Sequence, residues 1–257
     1  MRKTYREIAE RLHTCRRVLF ITGAGVSADS GLPTYRGVGG LYNSGDTEEG
    51  MPIEEAISGR CLASHPEITW KYLSQIQHNC GAVQPNAAHR VIAEFEKFLK
   101  VVVLTQNIDG LHPRAGSSDV IEIHGTLETR RCMRCDHPAP PSTPDEDISA
   151  GKLPRCEKCG GVVRPNVVLF GEMLPEKALY RLQDAVDEGF GMVFLIGTTA
   201  VFPYISQPVI MATHMGIPTV EINPARTHLT GYVEYYIPHG AAEAMTAIME
   251  EYSKAAN

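Results

Sequence analysis

An α/β chain built on a doubly wound parallel sheet is what this sequence predicts, and three observations carry the prediction. Apolar runs at 18–21, 101–104, 120–123, 192–196 and 218–222, with a further one at 233–237, have the length and residue types of buried strands. Amphipathic patterns at 5–15, 66–77, 87–99, 176–188, 205–215 and 241–252 read as helices and alternate with those runs. Five of the runs finish in small or polar residues, the pattern expected where several strand ends line one crevice.

The first twelve residues read as an amphipathic helix without the apolar core of a secretory leader, so a cytoplasmic location is expected. After the first strand comes T-G-A-G-V-S-A at 22–28, with Gly23, Gly25 and Ala28 at the spacing of a dinucleotide-binding turn. Gly23 would permit the tight turn, Gly25 would let a pyrophosphate approach the backbone, and Ala28 would let a following helix pack closely. An ordinary dinucleotide dehydrogenase should then show a second strand and an acidic ribose ligand about 20 residues on. Neither follows; the next strongly apolar run begins at Val101, so a rearranged site is expected.

Residues 38–83 interrupt the alternation. Gly39, Gly40, Gly45 and Gly50, with Asp46, Glu48 and Glu49, predict a loop, followed by helices that fold over a bound cofactor. Beyond it, the strand 101–104 leads into T-Q-N-I-D-G-L-H at 105–112, and 120–123 leads into His124-Gly125. Gly197-Thr198-Thr199 and Asn223-Pro224 end the two following runs. His112 reads as structural.

A second interruption, 126–165, is rich in proline and holds four of the seven cysteines. Cys132 and Cys135, then Cys156 and Cys159, form two C-x-x-C pairs with twenty residues between them. Four thiolates complete a tetrahedral zinc shell and leave no open position, so a structural zinc ribbon is expected. Disulfides or a redox pair are the alternatives, disfavoured by a reducing compartment and by the doubling of the motif. Cys15, Cys61 and Cys80 have no matching spacing and read as core or surface thiols.

Composition narrows the function classes. Hydrophobic residues are 43% and charged residues 21%, an ordinary globular balance, and no stretch has the apolar length of a membrane span. A net charge of −6 argues against broad nucleic-acid binding, which needs a basic stripe. The domain reading is a Rossmann-like unit from 1–37, 84–125 and 166–257, a loop and helical module at 38–83, and a zinc-ribbon module at 126–165.

Taken together, these blocks, in this order along almost the whole chain, resemble those of the sirtuins, bacterial type. In that family the first motif is close to G-A-G-x-S-x-x-S-G-I-P-x-F-R-G, and Leu32 and Tyr35 replace its isoleucine and phenylalanine here. The resemblance implies an NAD-dependent protein lysine deacetylase that consumes NAD, releases nicotinamide and passes the acyl group to ADP-ribose. It implies that His124 is the base that activates a ribose hydroxyl, and that Asn107 orients the reacting ribose or a water. Gln106 would reach ribose hydroxyls and Asp109 the nicotinamide carboxamide, with Ile108 between them. Gly23, Ala24, Gly25, Asp29, Tyr35, Arg36, Gly197, Thr198, Thr199 and Asn223 are the other implied cofactor contacts.

The segment 164–172 resembles the family's acyl-lysine channel and peptide-binding strand, which implicates Val168, Phe170, Gly171 and Glu172 on the substrate side. Family members that prefer negatively charged acyl groups carry a tyrosine and an arginine three residues apart in a helix; aligning Trp70 puts Leu73 and Ile76 there. An uncharged acyl group, acetyl first, is therefore expected, because a buried carboxylate would lack a partner. A deacylase for longer uncharged acyl groups and a protein mono-ADP-ribosyltransferase remain open, as do a non-catalytic NAD and zinc sensor and, least, a dehydrogenase. Acyl-lysine proteins or peptides are the expected partners; no nucleic acid and no membrane are, and the oligomeric state stays open.

Overall fold

The structure, a computed structural model, describes residues 1–34, 46–140, 148 and 152–255. Its strands are β1 (Arg17–Thr22), β2 (Lys100–Thr105), β3 (Val120–Glu122), β4 (Gly125–Cys132), β5 (Pro138–Ala139), β6 (Val163–Val167), β7 (Met192–Ile196), β8 (Thr219–Ile222) and β9 (Tyr235–Ile237). Its α-helices are α1 (Arg2–Thr14), α2 (Ile53–Ala56), α3 (Gly59–Ser64), α4 (Pro66–Ala82), α5 (Ala87–Phe95), α6 (Leu111–Ala115), α7 (Glu176–Asp187), α8 (Pro203–His214) and α9 (Ala241–Ala255).

Six strands form one parallel sheet in the order β3-β2-β1-β7-β8-β9. Alternate residues of β1 serve opposite faces, as the pleat requires. Val18 and Phe20 join α1, α5 and α9 in one core layer, while Leu19 and Ile21 join α7 and α8 in the other. Because both faces are covered, the central strands are apolar throughout; each fully buried large side chain contributes about 1.5–3 kcal/mol.

A smaller antiparallel sheet, β5-β4-β6, leaves the large one at Gly125 and carries the four cysteines. Among the described residues its own apolar cluster is Cys132, Cys156 and Val163, with Ala139 and Cys159 against them. Helices α2 to α4 pack on its other end. There Trp70, fully buried, donates Nε1–H to the Val163 carbonyl at 2.8 Å, and the Arg130 guanidinium lies over its ring.

Element ends depart from the sequence reading for local reasons. The glycine turn opens into a 3₁₀ helix, Ala24–Ser30, closed by Gly31 at φ 93°, and not into an α-helix. Helix α5 stops at Phe95 and the chain turns before β2, while α4 runs on to Ala82. Helix α6 was missed because Pro113 and the glycines at both of its ends read as a turn.

Candidate active site

The strand order reverses between β1 and β7, and such a reversal opens a crevice at the carboxyl ends of the strands. Gly23 N–H donates to Ile196 O at 3.0 Å and Gly25 N–H to Gly197 O at 2.8 Å, so the two loops are stitched together. A Cβ on Gly25 would stand 2.6 Å from Gly197 Cα, and one on Gly23 would stand 2.6 Å from Thr198 Cβ. Contact between the two loops, more than the approach of a ligand, is what demands glycine at these positions.

His124 follows β3 and is half-buried. Its Nδ1 lies 2.9 Å from the Gln106 carbonyl oxygen and its Nε2 2.7 Å from the Tyr204 hydroxyl. A carbonyl can only accept, so Nδ1 carries the hydrogen and Nε2 holds the lone pair. Burial lowers the His124 pKa, which keeps the ring neutral, and the Gln106 hydrogen bond opposes that only in part. A neutral imidazole with a defined basic nitrogen is therefore set at a strand end, as a general base requires.

Glycine at position 125 is required by the sheet pairing itself. At φ 76°, its added Cβ would sit 1.9 Å from Asn166 O, so glycine is imposed by the pairing of β4 with β6 and not by an approaching ribose.

Asn107 and Asp109 are almost fully buried. The Asn107 amide nitrogen donates to Gly23 O at 3.2 Å and to Ser27 Oγ at 3.1 Å, which ties β2's end to the glycine turn. Asp109 accepts from Ser27 Oγ at 2.7 Å and from Leu111 N–H at 3.0 Å. Burial raises the Asp109 pKa against those hydrogen bonds. Beside it lies a cavity of about 40 Å³ lined by Ala24, Pro33, Ile76, Cys80 and Ile108 among others. Cys80, read from the sequence as a core or surface thiol, is buried in the core and forms part of this wall. A larger cavity, about 500 Å³, opens at the amino ends of the strands near Arg16, Arg17 and Glu188 and contains none of the candidate residues.

Thr198 donates to Gln106 Oε1 at 2.6 Å, and Asn223 donates to the Thr198 carbonyl at 3.0 Å, while Thr199 is exposed at the rim. Asp29 turns to α9, where its Oδ2 accepts from Ala242 N–H at 3.1 Å. Tyr35 and Arg36 lie outside the described residues.

On the substrate side, Val168 N–H donates to the His124 carbonyl at 2.8 Å. Phe170 N–H is taken by Ile57 O and Phe170 O by Gly59 N–H, so this backbone is already paired. The Glu172 carboxylate is engaged by Arg164, at 2.5 and 2.8 Å, and by Leu169 N–H at 2.9 Å. Gly171, at φ 81°, leads into the exposed Met173. Leu73, Ile76 and Phe170 share an apolar cluster, whereas the nearby Lys71 pairs with Glu48 and Glu49.

Cys132, Cys135, Cys156 and Cys159 bring their sulfurs within 4.8 Å of one another. A zinc tetrahedron with Zn–S near 2.3 Å has S–S edges of about 3.8 Å, so the set fits one ion. The backbone N–H of Gly161 and the Arg134 guanidinium lower the Cys159 pKa, while its coupled neighbour Cys135 is raised, so the close sulfurs share their protons until an ion displaces them.

Ser27, Tyr204 and the buried pair His89 and His112 were not singled out as site residues. His112 Nε2 lies 3.0 Å from Thr22 Oγ1, and His89 Nε2 lies 3.5 Å from Ser27 Oγ. Ser27 lay in the glycine motif and could have been found there; nothing in the sequence signals that Tyr204 meets His124.

A doubly wound sheet with a glycine turn at its switch point, a buried Asn-Asp pair, a neutral histidine and an inserted four-cysteine ribbon defines a class: zinc-ribbon enzymes that act on a dinucleotide. The Sir2 family model matches residues 23–203. A "NAD-dependent protein deacylase 2" of Pseudomonas aeruginosa is 47% identical over 245 residues, covering 94% of each chain. "NAD-dependent protein deacylase 1" of Archaeoglobus fulgidus is 40% identical over 241 residues, covering 91% of this chain and 92% of its own. Among solved structures, a Sir2 homologue bound to NAD superposes with a TM-score of 0.85 at 37% identity, covering 98% of this chain and 94% of that one. A Sir2 complex with a p53 peptide and NAD gives 0.84 at 28% identity, covering 96% and 98%. The chain belongs to the Sir2 family.

Proposed function

We propose that this chain is an NAD-dependent protein lysine deacetylase that transfers the acyl group of a modified lysine to ADP-ribose and releases nicotinamide. The observation that carries the reading is the His124 ring, neutral and with its lone pair on Nε2, held between Gln106 at the carboxyl end of β2 and Tyr204 of α8. NAD, consumed as co-substrate, supplies the ribose carbon from which nicotinamide leaves. Gly23, Ala24, Gly25, Gly197, Thr198, Thr199 and Asn223 hold its phosphates and adenosine, and Tyr35 and Arg36 are further cofactor contacts. Gln106, Asn107, Ile108 and Asp109 surround the nicotinamide riboside end, and the small cavity beside Asp109 takes the carboxamide.

His124 accepts the proton of the ribose hydroxyl that attacks the acyl carbon, and the resulting imidazolium is steadied by the Gln106 carbonyl. Val168 and Phe170 flank the acyl-lysine channel, and the Gly171 turn with the start of Glu172–Met173 meets the peptide. The channel wall of Leu73 and Ile76 carries no free cation among the described residues, which favours an uncharged acyl group, acetyl first. One zinc ion held by the four cysteines is structural, since its shell is complete without water or substrate.

A zinc site built from four reduced cysteines suits a cytoplasmic location. Among the described residues no helix is long and apolar enough to cross a membrane. The net charge of −6 argues against broad electrostatic binding to nucleic acid.

The test is mass-spectrometric assay of acetyl-, longer acyl- and succinyl-lysine peptides with NAD, following nicotinamide and the acylated ADP-ribose together. Acetyl removal that disappears in His124→Ala is expected. Label from NAD retained on the protein, without acylated ADP-ribose, would establish ADP-ribosyl transfer instead.

A further inference from the structure

We propose that Tyr204 is a further catalytic residue, its phenol standing between His124 and the ribose hydroxyl and passing the proton from one to the other. The inference rests on His124 being the base. The Gln106 carbonyl occupies Nδ1–H, so the Tyr204 hydroxyl must be the donor in its 2.7 Å contact with Nε2. The lone pair that should receive the proton is thus reached through the phenol, whose oxygen keeps its own lone pairs for a second donor.

The phenol is held in place. Tyr204 sits in the first turn of α8, directly after Pro203 at the helix start. Its ring stacks on Phe202 at 5.4 Å with the planes 11° apart, and both rings stand edge-on to His124, at 5.9 and 6.2 Å. It also packs against the apolar layer beneath α7 and α8. Burial pushes the Tyr204 phenol up to about 12, so it stays protonated as a donor. A hydroxyl that is half-buried, protonated and fixed by one stacked ring and one edge-on ring is suited to relay a proton rather than to swing away when substrate enters.

The step balances without another reactant. The ribose O–H bond breaks as a new O–H bond forms at Tyr204. The phenol's original proton passes to Nε2, the tyrosine ends neutral, and the histidine ends cationic. The electron pair left on the ribose oxygen forms the bond to the acyl carbon.

Tyr204→Phe keeps the ring and removes only the relay. Two rates separate the steps: complete deacetylation of an acetyl-lysine peptide, and exchange of labelled nicotinamide into NAD, which requires only the earlier cleavage. Deacetylation turnover is expected to fall about tenfold to a hundredfold, within what a positioned proton-transfer group contributes, with exchange unchanged. His124→Ala should lose turnover and keep exchange, and the double variant should be no slower than His124→Ala alone. Turnover at or above that of the unmodified chain in Tyr204→Phe would show the phenol to be a plug on Nε2 and overturn the proposal. So would an equal loss of both rates, which would mean lost packing, or a double variant slower than His124→Ala. Should His124→Ala itself retain turnover, the base assignment fails first, an outcome distinct from failure at Tyr204 alone.

Discussion

Gly25 and Gly197 touch through their backbones: the N–H of one donates to the carbonyl of the other at 2.8 Å, and a Cβ on Gly25 would lie 2.6 Å from Gly197 Cα. Neither atom of that contact can yield as a flexible side chain would. Gly25→Ala is expected to push the loops after β1 and β7 apart, lowering stability by about 1–3 kcal/mol and raising the KM for NAD. Gly216→Ala is the comparison, because Gly216 has φ 69° and open space around its Cβ position. It should cost about 1 kcal/mol through backbone strain and leave the KM for NAD unaltered. Thermal melts and NAD titrations of the two variants distinguish loop separation from strain.

The zinc ribbon and the helical module share one reporter. Trp70, the single tryptophan of the chain, is fully buried and bonded to Val163, which belongs to the small cluster around Cys132 and Cys156. So little apolar surface cannot hold those strands without the metal. A strong chelator, or Cys156→Ser, should shift Trp70 fluorescence to the red and lower the melting temperature, with the chelator's effect reversed by added zinc. Metal analysis should return one zinc per chain. Unmoved fluorescence after complete zinc removal would mean that the module folds without its ion.

The sheet was legible because parallel strands covered on both faces must be apolar along their length, and 18–21, 101–104 and 192–196 stand out for that reason. The cysteine spacing was equally plain, since four thiolates around one ion leave few arrangements. What escaped reading was tertiary. Strands β4 and β6 carry arginine, threonine and asparagine and do not alternate cleanly, and their pairing shifts register between Thr126 and Arg130. Arg164 and Glu172 looked like separate polar residues until the chain folded one onto the other. The contact between Tyr204 and His124 spans 80 residues and has no local signature.

Cys80 offers a direct handle on the small cavity. Its thiol is buried beside Asp109, and burial pushes its pKa up to about 12, so it lines the wall as an uncharged group and not as a reactive thiolate. Cys80→Leu adds bulk to a space of about 40 Å³. If nicotinamide occupies that space, inhibition by added nicotinamide should weaken roughly tenfold, equivalent to about 1.4 kcal/mol of binding. Cys80→Ser should retain inhibition, since its volume is no larger. Equal nicotinamide inhibition in Cys80→Leu and the unmodified chain would remove nicotinamide from this cavity.

Two buried histidines and the half-buried His124 set the acid side of the stability curve. Burial lowers His89 to about 4, takes His112 well below its ordinary range and lowers His124 as well. Each folded pKa lies below the unfolded value near 6.5, so the unfolded chain binds more protons as acid is added. Their contribution is therefore present above pH 6.5 and is lost as pH falls from there toward 4. For His89 alone the shift corresponds to about 3 kcal/mol. Asp109 and Glu122, whose pKa values are raised by burial, act in the opposite sense, chiefly where carboxylates titrate. Urea unfolding at intervals from pH 7.5 to 4.5 should show stability falling with acid, and the slope should flatten in His89→Gln, which cannot take up a proton. A slope that is the same in His89→Gln would mean that His89 binds its proton equally well in the folded and unfolded chain, and that its burial beside Ser27 and His112 does not hold it neutral.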